Sequence, residues 1–267
     1  DFLFFYGDSS QGIFIQEGQF ILVFVFSSLF FLIGFLDDLF SLSAFLRLNL
    51  QFLVAILIWL FGFKIEAINI NLTLINFQIT FPTIISLAIT IVWLVGIVNA
   101  INWIDGCDGL AIGLNIIVCL NFIIYAYIIK RFDYFSYLLP ILVSSIGFYR
   151  LNKFPSRIIM GDGGSYFIGC TLGLLCLILF KDNFVLNEKS KNFDIIAALM
   201  ILMVPIFDMI QVIAKRIIKN SSPFLPDNTH FHHILLTNGF TQRQTANIIS
   251  SLVLITNICA LIFKLNL

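Results

Sequence analysis

Long apolar stretches, separated by short polar loops, constrain the fold of this chain more than any other feature. An α-helix needs about 20 predominantly apolar residues to cross a bilayer, and somewhat shorter stretches can also span it. Such stretches lie at positions 19–36, 48–63, 83–101, 110–129, 135–149, 165–180, 195–213 and 247–263. The sequence therefore predicts an all-α, polytopic membrane helical bundle with about eight transmembrane helices.

Composition agrees with this class and excludes others. Hydrophobic residues make up 60% of the 267 positions and charged residues 11%, whereas a soluble domain has about 25% charged residues. The net charge of zero gives no reason to expect a nucleic-acid partner. The five cysteines are scattered, mostly in apolar stretches, which indicates neither a disulfide framework nor a zinc site.

We interpret residues 1–267 as a single integral membrane domain, because neither an internal repeat nor a soluble domain interrupts the apolar pattern. The first 18 residues are too polar to span a bilayer and contain no signal peptide. We expect them to be the end of a helix hairpin whose first helices precede this sequence.

The order of the eight windows predicts that the conspicuous polar motifs share one face of the membrane. Successive helices cross the membrane in opposite directions. The polar segments at positions 37–38, 99–108, 150–162 and 215–243 therefore lie on the same side. The opposite loops carry neither clustered carboxylates nor histidines. Eight basic residues on the motif side and seven elsewhere give only a weak signal for which side is cytoplasmic.

The pair Asp37-Asp38 directly follows an apolar helix. An ionised residue at a helix centre costs about 2.5–3.5 kcal/mol, so we expect these acids at the interface. Adjacent carboxylates suit a hard cation, or a division in which one stays a proton acceptor. The alternative is a solvated helix C-terminus, which the helix dipole disfavours.

In the segment NAINWIDGCDGLAIG, Asn99, Asn102, Asp105 and Asp108 recur every three residues. Amide and carboxylate oxygens at this spacing fit a nucleotide and a metal ion. The alternative is a polar loop rich in turn-forming residues.

The segment MGDGGS opens the sixth predicted helix. Its glycines let a backbone approach a phosphate, and Asp162 is suitably placed to hold a metal ion. Asp162 or the following serine could equally act only as a helix cap.

Three histidines, His230, His232 and His233, follow two prolines in SPFLPDNTHFHH. Imidazoles bind phosphate when charged and zinc when neutral; a solvated loop is the third interpretation. Arg47 suits a pyrophosphate or a lipid headgroup, with interfacial snorkelling as the alternative. For Asp208 we weigh catalysis against a buried pairing with Lys215 or Arg216.

Taken together, these motifs resemble those of the polyprenyl-phosphate N-acetylhexosamine-1-phosphate transferases. The resemblance extends over about residues 19–245. It rests on the motifs GFLDD, NAINWIDGCDGLAIG, FYRLNKFPSRIIMGDGGSYFIG, PIFDMIQVIAKR and SPFLPDNTHFHH. This superfamily, glycosyltransferase family 4, also contains phospho-MurNAc-pentapeptide translocase. The PDNTHFHH form is more similar to the branch that initiates O-antigen, capsule or teichoic-acid linkage synthesis.

The resemblance implies a reaction and its partners. A sugar 1-phosphate moves from a UDP-N-acetylhexosamine to a polyprenyl phosphate such as undecaprenyl phosphate, and UMP is released. The resemblance also implies Mg²⁺, with Mn²⁺ as an alternative, and an active site on the cytoplasmic face of the bacterial inner membrane. A homodimer is compatible with it.

The resemblance also implies roles for individual residues. Catalysis is assigned to Asp37, Asp38 and Asp105, with Asp37 as the acid that deprotonates the lipid phosphate. The metal ligands are Asp162 and Asp105. Substrate contacts are assigned to Arg47, Asn99, Asn102, Asp108, Asn152, His230, His232 and His233.

Three other functions fit the same sequence features less well. The nearest is the translocase itself, with a peptide-bearing donor. A cation-coupled transporter would place its acids near the bilayer midplane in broken helices, whereas these acids lie at loop ends. The third is an inactive membrane anchor.

Overall fold

The computed structural model describes residues 11–72, 75–180, 192–219 and 229–265. In these ranges the α-helices are α1 (Gln11–Phe40), α2 (Ala44–Leu60), α3 (Thr83–Ile104), α4 (Leu110–Ile128), α5 (Phe135–Asn152), α6 (Gly161–Leu179), α7 (Ile195–Ile201), α8 (Met203–Ile218), α9 (Phe231–Thr237) and α10 (Gln242–Leu265). A short 3₁₀ turn, Phe132–Tyr134, precedes α5. The strands are β1 (Ala67–Leu72), β2 (Ile75–Thr80) and β3 (Asn192–Asp194).

The predicted class, a polytopic helical membrane protein, is confirmed, whereas the number of eight spans is not. Every predicted window falls mostly on helical residues, but only α1, α3, α4, α6 and α10 are long and apolar enough by themselves among the described residues. The bent pair α7 and α8 can form a sixth span. The α2 helix is apolar but has only 17 residues.

The α6 helix lies at the centre of the bundle, packed between α1 and α3. Two glycines permit this close packing. A Cβ atom on Gly169 would lie 2.6 Å from Val98 Cα of α3, and one on Gly34 would lie 2.3 Å from the Asp162 carbonyl oxygen of α6. Small residues allow helices to approach in this way in membranes. The first turn of α6 is thereby held against the ends of α1 and α3.

The stretch 195–213, predicted as one continuous span, is broken. The α7 and α8 helices meet at an angle of 82°. Pro205 has no amide hydrogen, so it cannot donate to the carbonyl of Ile201 four residues earlier. Asn257 of α10 donates to that carbonyl instead, at 3.1 Å. The break is therefore caused by proline and stabilised by a side chain of α10.

A small sheet, which the all-helical prediction did not contain, lies in the loops away from the polar motifs. Strands β1 and β2 pair antiparallel, with Ala67 opposite Thr80, and β1 pairs parallel with β3. The segment AININL alternates apolar and polar residues with the period of a strand. The β1–β3 pairing brings residues 67–69 and 192–194 together at one end of the bundle, in agreement with the predicted topology.

Candidate active site

Three charged side chains from three helices meet at the end of the bundle opposite the sheet. Asp37 lies in the last turns of α1, Arg47 in the first turn of α2, and Asp162 at the start of α6. A guanidinium nitrogen of Arg47 contacts Asp37 Oδ2 and lies 3.7 Å from Asp162 Oδ2. Arg47 therefore bridges two carboxylates, which is a more specific position than interfacial snorkelling.

Asp162 is oriented by its neighbours. Asn102, near the end of α3, donates its side-chain amide to Asp162 Oδ1 at 2.8 Å and to Ser165 Oγ at 3.0 Å. Ser165 in turn donates to the Asp162 carbonyl at 3.1 Å. One carboxylate oxygen of Asp162 is thus fixed by Asn102, and the other faces Arg47.

Asp38 has a different position from that of Asp37. Its two carboxylate oxygens accept hydrogen bonds from the amides of Asp162 and Gly163, at 3.0 and 3.1 Å. Gly161 makes room for this contact, since it has a φ of +69° and a Cβ there would lie 2.6 Å from Asp38 Oδ2. Asp38 thus caps the first turn of α6, where an anion is favoured by the helix dipole.

Asp105 lies in the loop between α3 and α4, and its carboxylate forms no hydrogen bond with any described residue. Its pKa is raised to about 7, chiefly by burial and in addition by the negative charges of Asp162 and Asp108. A cation beside Asp105 would offset these charges and favour its ionised form.

Asp108 and Asn152, both predicted to bind substrate, connect loops in this structure. Asp108 Oδ2 accepts a hydrogen bond from the Ser156 amide at 3.0 Å. Buried Asn152 accepts from the Gly109 amide at 3.2 Å and donates to the Ile158 carbonyl at 2.9 Å. These contacts hold the loop before α6 against the loop before α4, and substrate binding by either residue stays a prediction.

Asn99 lies one helical turn deeper than Asn102. Its side-chain amide donates to Gln51 Oε1 at 2.7 Å and to the Val95 carbonyl at 2.8 Å. Tyr166, one turn below Asp162, is fully buried beside Gln51. The Tyr166 hydroxyl and the Gln51 amide nitrogen have no hydrogen-bond partner among the described groups. A second polar layer therefore lies beneath the charged one.

Residues 229–237, here called the histidine segment, lie against the loop that carries Asp105. His232 is buried, and its Nε2 atom lies only 2.0 Å from the position that a Cβ on Gly106 would take. The pKa of His232 is lowered to about 4, chiefly by burial and in addition by the neighbouring histidines His233 and His230. His232 is therefore neutral at neutral pH. A neutral ring has no charge attraction for phosphate, so this arrangement does not favour phosphate binding by His232.

Asp208 has a partner that the sequence did not indicate. The sequence offers Lys215 or Arg216 as a buried partner, but Asp208 Oδ2 lies 2.8 Å from His230 Nδ1. Its other oxygen accepts a hydrogen bond from the Phe231 amide at 2.6 Å.

The structure thus brings most of the predicted residues to one end of the bundle. Side chains that sequence reasoning missed are Ser165, Gln51 and Tyr166, each three or four positions from a predicted residue and so on the same helix face. Within the described ranges, no three His, Cys, Asp or Glu side chains converge as a preformed metal cluster. Asp105 and Asp162 are close enough for the charge of Asp162 to raise the pKa of Asp105.

Comparison with known proteins gives a consistent picture. The family described as "Glycosyl transferase family 4" matches residues 20–180. A Bacillus subtilis (strain 168) protein named "Probable undecaprenyl-phosphate N-acetylglucosaminyl 1-phosphate transferase" is 33% identical over 250 residues, which cover 94% of this chain and 65% of that protein. The Escherichia coli (strain K12) "Undecaprenyl-phosphate alpha-N-acetylglucosaminyl 1-phosphate transferase" is 31% identical, covering 86% of this chain and 60% of its own length.

A "Phospho-N-acetylmuramoyl-pentapeptide-transferase" of Prochlorococcus marinus (strain MIT 9515) is 33% identical, over 92% of this chain and 69% of that protein. The chain spans less than two thirds of the length of the Bacillus and Escherichia relatives.

Proposed function

Because the chain belongs to glycosyl transferase family 4, we propose that it transfers N-acetylglucosamine 1-phosphate from UDP-N-acetylglucosamine to undecaprenyl phosphate. The names of the Bacillus and Escherichia relatives support this choice of donor and acceptor. The observation that carries the proposal is the meeting of Asp37, Arg47, Asn102 and Asp162, from four helices, at one end of an apolar bundle. The phosphate of a membrane lipid would lie at this end of the bundle, next to these side chains.

The reaction is a phosphoryl transfer. An oxygen of the acceptor phosphate attacks the β-phosphorus of the UDP-sugar and forms a new P–O bond. The bond from this phosphorus to the oxygen of the UMP phosphate breaks, and UMP leaves with the electron pair. Catalysis of such a step consists mostly of positioning and charge neutralisation.

Arg47 is the cation of the described site best placed for the acceptor phosphate. In the structure its guanidinium contacts Asp37 and approaches Asp162. We propose that the incoming phosphate takes the place of Asp37 as the partner of Arg47. Asp37, relieved of its pairing, can then accept the proton of a singly protonated acceptor phosphate. Burial raises the pKa of Asp37, but its contacts with Asp162 and Arg47 hold that pKa below its usual value in this structure. Loss of the Arg47 contact raises the pKa and so favours the proton transfer.

The carboxylates of Asp105 and Asp162 fit a Mg²⁺ ion, because this ion is commonly held by one or two carboxylates together with substrate phosphates. The raised pKa of Asp105, caused first by burial and then by the charges of Asp162 and Asp108, supports this fit. Bound there, Mg²⁺ would neutralise charge on the pyrophosphate. Asn102 would keep Asp162 oriented toward it.

Activity of membranes that contain the protein tests the proposal. UMP release and lipid-linked sugar are measured with undecaprenyl phosphate, Mg²⁺ and one donor at a time: UDP-GlcNAc, UDP-GalNAc or UDP-MurNAc-pentapeptide. We expect UDP-GlcNAc to be used, and Asp162→Asn serves as the matched inactive variant. Exclusive use of the pentapeptide donor would instead support the translocase function, which the Prochlorococcus relative favours.

The side of the membrane follows from the donor. Because UDP-sugars are made in the cytoplasm, we propose that the end bearing Asp37 and Asp162 faces the cytoplasm of a bacterial inner membrane. A cysteine introduced at exposed Ile159, beside α6, should react with an impermeant thiol reagent only in inverted vesicles.

A further inference from the structure

A buried carboxylate joins α8 to the histidine segment. Asp208 is only 1% exposed, and its two oxygens contact His230 Nδ1 at 2.8 Å and the Phe231 amide at 2.6 Å. A buried carboxylate is costly unless it is hydrogen-bonded. The partners of the two Asp208 oxygens lie 22 and 23 positions further along the chain.

This contact fixes how the His230 ring is turned. Because Nδ1 faces Asp208, Nε2 points away from α8. The ring meets Trp103, in the last turn of α3, edge to face, with the ring centroids 5.6 Å apart. On another side it stacks on His232 with an interplanar angle of 14°. His230 is therefore packed between α8 and the end of α3, and it is buried.

The three histidines consequently occupy different environments. His230 is bonded to Asp208, and His232 is buried against Gly106. The pKa of His232 is lowered to about 4, chiefly by burial, which leaves this ring uncharged. His233 is only partly buried, and its ring centroid lies 4.2 Å from that of His232.

We propose that Asp208 and His230 form a latch that docks the histidine segment on the loop containing Asp105 and Gly106, and that Asp208 thereby sets how this segment meets the donor. The identity of the donor in this inference rests on the proposed function. Asp208 is then a positioning residue, because it acts through His230 and touches no reacting atom.

Hydrogen–deuterium exchange of the purified protein tests the latch without substrate. Asp208→Ala removes the acceptor of the Phe231 amide, so the amides of 229–237 should exchange about tenfold faster or more. Asp208→Asn keeps one acceptor oxygen and should have a smaller effect. Asp194→Ala is the matched control, since Asp194 is also a buried carboxylate that accepts from a helix amide, at the opposite end of the bundle.

Unchanged exchange over 229–237 in Asp208→Ala overturns the latch. The same acceleration in Asp194→Ala overturns it also, because the effect would then reflect general loosening of the bundle.

Donor kinetics test whether the latch positions the segment for the donor. Asp208→Ala should raise the KM for the UDP-sugar about tenfold or more, with a smaller change in kcat, and Asp208→Asn should raise the KM less. A parental KM in Asp208→Ala, with accelerated exchange over 229–237, would show that the latch does not position the segment for the donor.

The two proposals fail in different ways. If the parent protein releases UMP from no donor, the proposed function fails. The exchange experiment still decides the latch in that case.

Discussion

Replacement of Asp38 separates a structural carboxylate from a catalytic one. The neighbouring acids Asp37 and Asp38 are alike in sequence, but Asp38 uses both oxygens on the amides of Asp162 and Gly163. Loss of a capping side chain costs about 0.5–2 kcal/mol, and loss of a negative charge at a helix N-terminus costs about 0.3–1 kcal/mol more. We expect Asp38→Ala to lower the free energy of unfolding by about 1–3 kcal/mol in total.

Asp38→Asn provides the graded comparison. Asparagine keeps one acceptor oxygen, so it can satisfy one of the two amides and should cost about half as much as alanine. Thermal unfolding in detergent should therefore rank the parent above Asp38→Asn, and Asp38→Asn above Asp38→Ala. UMP release should fall in the same order, because an uncapped first turn displaces Asp162. An Asp38→Asn protein as stable as the parent, with kcat reduced about 10²–10⁴-fold as for a lost general base, would refute this reasoning.

Four further changes probe the site. Asp162→Asn should abolish Mg²⁺-dependent UMP release while the thermal midpoint stays near the parental value; turnover close to parental would show that Asp162 does not hold the metal. Asp37→Asn should lower kcat about 10²–10⁴-fold with little change in donor KM, and an unchanged rate at saturation with weakened donor binding would move Asp37 to the donor site. Gly106→Ala should displace His232 and reduce kcat/KM about 10–100-fold, which steady-state kinetics would contradict by parental values. His232 has a pKa lowered from 6.5 to about 4 by burial and by its histidine neighbours. The unfolded chain therefore binds its proton first, stability should fall as pH drops from about 6.5 to 4, and this component should disappear in His232→Asn.

The sequence predicted the order of the helices and the end of the bundle at which the acids meet, because both follow from apolar period and alternation. The sequence did not predict the separate role of each acid in the site. Asp38 and Asp162 are separated by 124 positions, and only the tertiary fold shows that one caps the helix of the other. The break at Leu202 was also missed, although Pro205 carries its cause. A proline near the start of a helix segment is tolerated, so its presence alone does not predict a break.

Asn99 and Asn102 illustrate the limit most clearly. Their three-residue spacing predicts a shared helix face, and both do point toward neighbouring helices. A rise of about 1.5 Å per residue separates them by roughly 4–5 Å along the axis. That distance is enough to place Asn102 on Asp162 and Asn99 on Gln51 of α2. A spacing rule identifies the face, whereas the partner depends on the depth at which each helix packs.

The depth at which α6 packs is set by residues inside the bundle and not by the charged residues of the site. Gly34 lets the α6 backbone approach α1, and Gly169 lets it approach α3, at separations that a single Cβ would prevent. Because Asp162 opens the same helix, its carboxylate reaches Asn102 only when both approaches are made. Arg47 depends on the same depth, since it approaches Asp162 from α2 while contacting Asp37 on α1. The positions of the charged groups therefore follow from residues that carry no charge, and this explains why a motif of acids specifies the chemistry more readily than the geometry.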